Sequence, residues 1–142
     1  MEGKMNAVLM TKPEPGAWEY VEDAPIPQIK DDEVLLEIKA CGICGTDHSL
    51  HGWNEAIANS YNIQFPAIFG HEFSGVIAEV GKNAPANLKP GMRVTANPVL
   101  FDNTCPYCEK GQVNICDNRP FYGTDLPGAF AKYMAIRGSN VI

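Results

Sequence analysis

Apolar and polar residues alternate along several short segments, which predicts β-strands rather than long helices. The clearest alternation covers residues 33–40, whose even-numbered positions share one face and whose odd-numbered positions share the other. Weaker strand patterns cover 5–10, 73–80 and 128–136, and a Lys-Pro-Gly turn at 89–91 leads into another strand. A helix or helical turn is predicted only for 47–60.

A long stretch without periodicity covers residues 97–127 and is rich in Cys, Pro, Gly, Asn and Asp. Inside a compact domain, a loop of that length is usually functional or held by another group. Many short strands separated by Gly and Pro turns are typical of a β-barrel or a sandwich. We therefore predict a mainly β domain with a few short helices and a long cysteine-bearing loop.

Size and charge narrow the class of protein. The 142 residues suffice for one domain with a sizeable core. The net charge of −6 argues against nucleic acid or an anionic membrane as a partner, since either favours a basic surface. No apolar run is long enough to cross a bilayer, and the first ten residues lack the apolar region of a signal peptide. The expected location is cytoplasmic.

Five cysteines fall into two clusters, Cys41 with Cys44 and Cys105 with Cys108 and Cys116. An odd number of cysteines in a chain without a secretion signal does not fit a disulfide framework. Short Cys-x-x-Cys spacings in such a chain indicate metal or redox chemistry instead.

The first cluster contains a plausible metal site. Cys44 and His71 each lie beside a predicted strand, and Glu72 follows directly. Zinc binds thiolate, imidazole and carboxylate, and a catalytic zinc keeps one position open. Asp47 and Glu72 are also placed to accept the free ring N–H of a ligand histidine. Taken singly, Cys44 fits a buried cysteine and His71 a core histidine; together and in this order they favour zinc.

These two segments resemble a known family. The sequence Cys44-Gly-Thr-Asp is similar to the ligand turn of zinc-dependent medium-chain alcohol dehydrogenases, especially the polyol and threonine dehydrogenases. The sequence Gly70-His-Glu-x-x-Gly, followed by Gly81, resembles the Gly-His-Glu signature of the same family. The resemblance extends over essentially the whole chain. It implies a GroES-like, partly open β-barrel as a catalytic domain over residues 1–142.

The resemblance also implies residue roles. Cys44 and His71 match the catalytic zinc ligands, and Glu72 matches a carboxylate that binds zinc or lies just behind it. Thr46 matches the hydroxyl that bonds the substrate oxygen and starts a proton relay.

The relay beyond Thr46 departs from the family pattern. Ser49 stands where the family often has a relay histidine, so His48, His51 or water would carry the proton onward. A solvated helical face is the competing interpretation of the two histidines. Cys41 matches no ligand, and we interpret it as a buried small residue.

The second cluster resembles the structural zinc lobe of the family, at about residues 97–119. Cys105, Cys108 and Cys116 have the lobe spacing, and Asp102 stands in place of the first cysteine. An aspartate oxygen can bind zinc, so one aspartate and three cysteines make a chemically reasonable site. Three alternatives remain: an empty lobe with free thiols, a disulfide such as Cys105–Cys108, and a redox motif, although no thioredoxin-like βαβ pattern surrounds it.

The chain contains no Gly-x-Gly-x-x-Gly, Walker or Gly-x-Ser-x-Gly motif. In the resembled family a nucleotide-binding domain follows the catalytic domain and a further zinc ligand lies after residue 142, so we expect this chain to lack both and to be inactive alone. The implied reaction oxidises a secondary alcohol or polyol, with NAD or NADP as the hydride acceptor. Trp53 and Phe121 are candidates for the substrate wall.

Two other functions compete with this hypothesis. One is a free-standing zinc-binding module that acts through a partner, and the other is a co-chaperonin-like ring subunit, against which the Cys, His and Glu clusters argue. Self-association into a homo-oligomer is a further expectation, because the face toward the missing domain is expected to be apolar.

Overall fold

A computed structural model describes residues 2–142. Among these residues, no helix is long and apolar enough to span a membrane. The elements in chain order are β1 (Lys4–Met10), β2 (Trp18–Pro25), β3 (Glu33–Gly42), α1 (Gly45–His51), α2 (Glu55–Ala58), β4 (Glu72–Val80), β5 (Arg93–Thr95), α3 (Pro106–Glu109), a 3₁₀ turn (Val113–Ile115), β6 (Tyr133–Arg137) and a second 3₁₀ turn (Gly138–Asn140).

The strands form two antiparallel sheets. One pairs β1 with β2, and the other has the order β5-β4-β3-β6. Isolated bridges from Ala7 to Ala131 and from Met10 to Ala67 connect β1 to the rest of the chain. The predicted mainly β fold with a few short helices is therefore confirmed.

Strand β3 lies at the centre of the molecule. Val34 and Leu36 enter one apolar cluster with Ile77, whereas Leu35 enters a different cluster with Met5. The predicted alternation of faces is confirmed, and both faces are buried over the first half of the strand. A strand held this firmly can present the turn at its carboxyl end in a fixed place.

The element boundaries differ from the prediction in three places. Strand β2 went unrecognised because most of its side chains are exposed, so that only its pairing with β1 makes it a strand. The helix predicted for 47–60 is two helices, since Trp53 adopts a left-handed φ of 50° and Asn54 caps α2 by accepting the N–H groups of the next turn. Strand β6 begins five residues later than predicted, at Tyr133.

The late start of β6 has a structural reason. The N–H of Gly128 bonds the carbonyl of Ile68, and Ala129 bonds Gly70, so this segment pairs with the chain just before His71. A Cβ on Gly128 would lie 2.5 Å from the carbonyl oxygen of Gly70, closer than any side chain allows. Only glycine permits this approach, which fixes the end of the long loop against the first polar cluster.

The long loop is also anchored at its start. The side-chain amide of Asn140 donates to the carbonyls of Asn97 and Val99, both at 2.8 Å. The loop itself contains α3 and a 3₁₀ turn rather than a sheet. Between these two anchored ends, the conformation of the segment that carries the cysteines depends on contacts within the loop.

Tyr122 provides a test of this packing. Its hydroxyl oxygen accepts the backbone N–H of Arg137 at 3.1 Å, and burial raises the pKa of the phenol above its ordinary value. In the unfolded chain the phenol has a pKa of about 10. The stability that comes from burying the neutral phenol is therefore complete below pH 10, and it is lost as the pH rises through the higher pKa of the folded state.

Denaturant unfolding between about pH 9 and 11 should therefore show a steeper loss of stability in the wild type than in Tyr122→Phe. At neutral pH the substitution should cost about 0.5–1.5 kcal/mol for the lost hydrogen bond. Parallel pH profiles for the two proteins would contradict the prediction.

Candidate metal centre and active site

Cys44 lies in the turn between β3 and α1. Its backbone is extended, with φ −80° and ψ 161°, and it is the N-cap residue of α1. Its N–H donates to the carboxylate of Asp47 at 2.9 Å. This turn places a half-buried thiol two residues after the end of the central strand.

His71 and Glu72 reach the same place from the neighbouring strand. Glu72 opens β4 and pairs with Gly42 at the end of β3. One ligand atom each from Cys44, His71 and Glu72 lies within 4.8 Å of the others. The structure thus brings together the thiolate, imidazole and carboxylate that the sequence predicted as one site.

Sequence reasoning missed the part that Gly42 plays in this convergence. A Cβ at Gly42 would lie 2.7 Å from a carboxylate oxygen of Glu72. The missing side chain therefore leaves the space that the Glu72 carboxylate occupies. Only the strand pairing reveals this requirement, since no spacing along the chain marks it.

Asp47 holds the two segments together from behind. The residue Asp47 is only 2% exposed. Its carboxylate accepts the N–H of Cys44 and, at 3.3 Å, the N–H of Gly70. The same group lies 3.8 Å from Nδ1 of His71, a buried nitrogen with no hydrogen-bond partner in the structure. A buried polar atom without a partner needs an explanation. A metal held through the other ring nitrogen of His71 would leave Nδ1 facing Asp47, where a carboxylate behind a ligand histidine orients the ring.

The predicted relay residues lie on α1. The Thr46 hydroxyl is 3.9 Å from the Cys44 sulfur and therefore adjoins the donor group. Ser49 is half-buried, whereas His48 and His51 are exposed. The ring of His51 packs near that of Trp18, with centroids 5.6 Å apart. A proton-relay role for these four residues stays a prediction.

The two aromatic candidates for the substrate wall lie in different parts of the structure. The ring of Phe121 lies 5.0 Å from that of His71, directly beside the donor group. Trp53 instead packs 5.7 Å from Phe65, in the apolar cluster that contains Leu50. Phe121 therefore lies beside the donor group and Trp53 packs against an apolar cluster. A place in the substrate wall stays a prediction for both.

Cys41 is only half-buried, which corrects its interpretation as a buried small residue. Its thiol donates to the carbonyl of Gly42 and lies outside the donor group of Cys44, His71 and Glu72. Burial raises the pKa of this thiol to about 11. Cys41 is thus a neutral thiol three residues from Cys44, which makes it a useful control.

The second cluster also converges. One ligand atom each from Asp102, Cys105, Cys108 and Cys116 lies within 4.8 Å of the others. One carboxylate oxygen of Asp102 accepts the N–H groups of Thr104 at 2.8 Å and Cys105 at 3.1 Å. These bonds lower the pKa of Asp102, and its thiol neighbours Cys116 and Cys108 lower it further.

The thiols of the second cluster differ in their surroundings. The backbone N–H groups of Asp117 and Cys108 lower the pKa of Cys105. Burial, followed by its thiol neighbours Cys116 and Cys105, raises the pKa of Cys108 to about 12. Four donor atoms packed this closely, three of them thiols, suit a cation that displaces the thiol protons. All five cysteines are free thiols in the structure, Cys105 and Cys108 included.

Comparison with known proteins identifies the class of domain. Residues 30–142 match the family model "Alcohol dehydrogenase GroES-like domain", and the chain belongs to this family. The chain is 37% identical over 141 residues to an L-threonine 3-dehydrogenase from Bacillus velezensis. The matched region makes up 99% of this chain and 39% of that protein.

Solved structures agree with this family. Galactitol-1-phosphate dehydrogenase from Escherichia coli superposes with a TM-score of 0.83 at 34% identity, over 97% of this chain and 37% of that one. A protein described as a zinc-binding dehydrogenase from Sinorhizobium meliloti, bound to NADP, gives 0.82 at 32% identity, over 97% of this chain and 37% of that one. The chain thus spans about two fifths of the length of these relatives.

Proposed function

We propose that this chain is the metal-binding catalytic part of a zinc-dependent dehydrogenase that oxidises a small secondary alcohol or polyol with NAD or NADP. The observation that carries the proposal is the convergence of Cys44, His71 and Glu72 from two segments separated by 26 residues of chain. The family membership and the similarity to threonine and galactitol-phosphate dehydrogenases support it.

The donor set fits zinc, which would be held by the Cys44 thiolate, a ring nitrogen of His71 and the Glu72 carboxylate. When bound, zinc supplies a Lewis acid that lowers the pKa of an alcohol. Asp47 fixes the turn that carries Cys44, and with zinc bound it would orient the imidazole from 3.8 Å behind it. Within these residues the three donors leave one position of a tetrahedron for the alcohol, and a further ligand from outside them would take the place of Glu72.

Thr46 would accept the alcohol proton, because its hydroxyl adjoins the donor group. From there the proton would pass along α1 to solvent through Ser49 and either His48 or His51, the two exposed groups. The nicotinamide of NAD or NADP would take the hydride. Since these 142 residues contain no dinucleotide-binding motif, the isolated chain would be inactive.

The lobe of Asp102 and its three cysteines would hold a second, structural zinc. A structural site uses all four protein donors, whereas the site at Cys44 has three. The lobe should therefore bind zinc more tightly. A role as a free-standing zinc-binding module would need only the lobe, and it would leave the convergence at Cys44 unexplained.

Zinc titration of the metal-free protein tests the proposal. We expect one tight and one weaker equivalent per chain, and Cys44→Ser should weaken only the second, by at least about tenfold, because it removes a thiolate ligand. Cys41→Ser is the matched control, since Cys41 is a nearby half-buried thiol outside the donor group. Equal effects of the two substitutions would contradict the assignment.

Cobalt replacement tests whether an alcohol reaches the site. Cobalt(II) bound at Cys44 and His71 should change its visible absorption when a small secondary alcohol is added, because those bands report on the ligand set. A spectrum that does not respond to alcohol would argue against the proposed reaction.

A further inference from the structure

A tight turn over residues 121–126 packs against the chain beside the metal centre. The N–H of Leu126 donates to the carbonyl of Phe121 at 3.1 Å, and the N–H of Gly123 donates to the carbonyl of Leu126 at 2.7 Å. Gly123 adopts a left-handed φ of 84°, and a Cβ there would lie 2.6 Å from the carbonyl oxygen of Gly70. Only glycine permits both, so the turn touches the backbone of the residue that precedes the ligand histidine.

The same turn presents the Phe121 ring to His71. The two ring centroids lie 5.0 Å apart, with an angle of 59° between the ring planes. Nδ1 of His71 has no hydrogen-bond partner, and the Asp47 carboxylate at 3.8 Å is too distant to be one. Among the described residues, Phe121 is the one aromatic ring in contact with this imidazole. The orientation of the imidazole therefore depends in part on where the turn places Phe121.

Asp125 fixes the backbone of Phe121. One oxygen of its carboxylate accepts the N–H of Phe121 at 2.9 Å and the hydroxyl of Thr124 at 3.4 Å. The other oxygen accepts the N–H of Asn62 at 2.7 Å, which connects the turn to the segment after α2, 63 residues away in the chain. The ring of Tyr61, in that segment, lies 6.3 Å from the ring of Phe121. Hydrogen bonds to a charged acceptor are the stronger kind, so the partly buried Asp125 holds this aromatic residue in one place.

We propose that Asp125 is a positioning residue for the metal centre, which acts through Phe121 on the orientation of the His71 imidazole. The inference rests on the proposed function, in which that imidazole binds zinc. Asp125 lies outside the donor group, and internal donors engage both of its oxygens. Its influence on the metal is therefore indirect. Groups that orient a metal ligand from behind change metal affinity by about 10–100-fold.

Zinc titration and nuclear magnetic resonance test the proposal together. Asp125→Ala should weaken the second, weaker zinc equivalent about tenfold, because the imidazole is no longer held in one orientation. In the metal-free protein the same substitution should shift the ring-proton resonances of His71. It should also weaken the nuclear Overhauser effect between the rings of His71 and Phe121. Asp125→Asn keeps one acceptor oxygen and should retain part of the zinc affinity.

Further variants separate positioning from a general loss of stability. Phe121→Leu removes the ring and should weaken the same zinc equivalent by a similar factor. The double variant of Phe121→Leu and Asp125→Ala should bind zinc no more weakly than the weaker single variant, because both substitutions break the same contact. Asp117→Ala is the matched control: it removes an exposed carboxylate from the same loop and should leave the His71 resonances unchanged. An unchanged tight equivalent in every variant would confirm that the lobe remains folded.

The outcomes are distinct for the two proposals. If Cys44→Ser weakens the second zinc equivalent but Asp125→Ala does not, the positioning role is wrong and the proposed function stands. Fully additive effects of Asp125→Ala and Phe121→Leu would likewise overturn the positioning role. If no metal binds at Cys44, the proposed function fails, and the ring contact in the metal-free protein still decides whether Asp125 positions the imidazole.

Discussion

Asp47→Ala should lower both the stability of the protein and its zinc affinity. The substitution leaves the N–H groups of Cys44 and Gly70 without their acceptor. Each unsatisfied buried donor costs about 1–3 kcal/mol, so the free energy of unfolding should fall by roughly 2–6 kcal/mol. The site at Cys44 and His71 should lose about 10–100-fold in zinc affinity, because the group behind the ligands is gone.

Chemical denaturation and zinc titration measure these two effects separately. Asp47→Asn keeps one acceptor oxygen but turns the other position into a donor, so its stability should be intermediate. Asp23→Ala is the matched control: Asp23 is an exposed aspartate paired with exposed Lys4, and its loss should change stability by less than about 0.5 kcal/mol. A stable Asp47→Ala protein with normal zinc affinity would show that Asp47 does not join the two segments.

Loss of zinc from the cysteine lobe is expected to have the second large effect. Zinc binding in small metal-dependent folds amounts to about 10–16 kcal/mol, which is comparable to or larger than the whole stability of a typical domain. Cys105 and Cys116 are the buried members of the donor group, and the helix between them, α3, is only four residues long. Cys116→Ser should therefore abolish the tight zinc equivalent and unfold the lobe.

Hydrogen exchange and metal analysis test this expectation. Amides of residues 102–116 should exchange at least about tenfold faster in Cys116→Ser, while the amides of β3 and β4 remain protected. Asp102→Cys supplies a fourth thiolate and should slow the release of zinc to a chelator. Retention of two zinc equivalents by Cys116→Ser, with normal protection of the lobe, would contradict a structural metal site.

The convergence of the first donor group could be predicted because its residues follow simple rules. Cys44 comes directly after the most regular alternating segment, and His71 directly precedes another. Antiparallel pairing of these two strands then places both chain turns at one end of the sheet. The cysteine lobe was predicted from the close spacing of its cysteines together with the family resemblance, which assigned Asp102 as the fourth donor within fifteen residues of sequence.

Other features depend on contacts between distant residues and leave no local signal. The bond from Gly70 to Asp47 joins positions 23 residues apart, and the bond from Asn62 to Asp125 joins positions 63 apart. The break between α1 and α2 depends on the left-handed backbone of Trp53, a conformation that tryptophan rarely adopts.

The sequence also does not indicate that Trp53 and Phe121 occupy different positions in the fold. Trp53 lies in the segment predicted as a helix and Phe121 in the long loop, and only the tertiary fold brings Phe121 beside His71.

Anomalous diffraction at the zinc absorption edge, from crystals grown with excess zinc, tests the central claim most directly. A peak is expected about 2.3 Å from the Cys44 sulfur and about 2.0–2.1 Å from a ring nitrogen of His71. A second peak is expected among Asp102 and the three lobe cysteines. Full density in the lobe together with none between Cys44 and His71 would contradict the proposed catalytic centre.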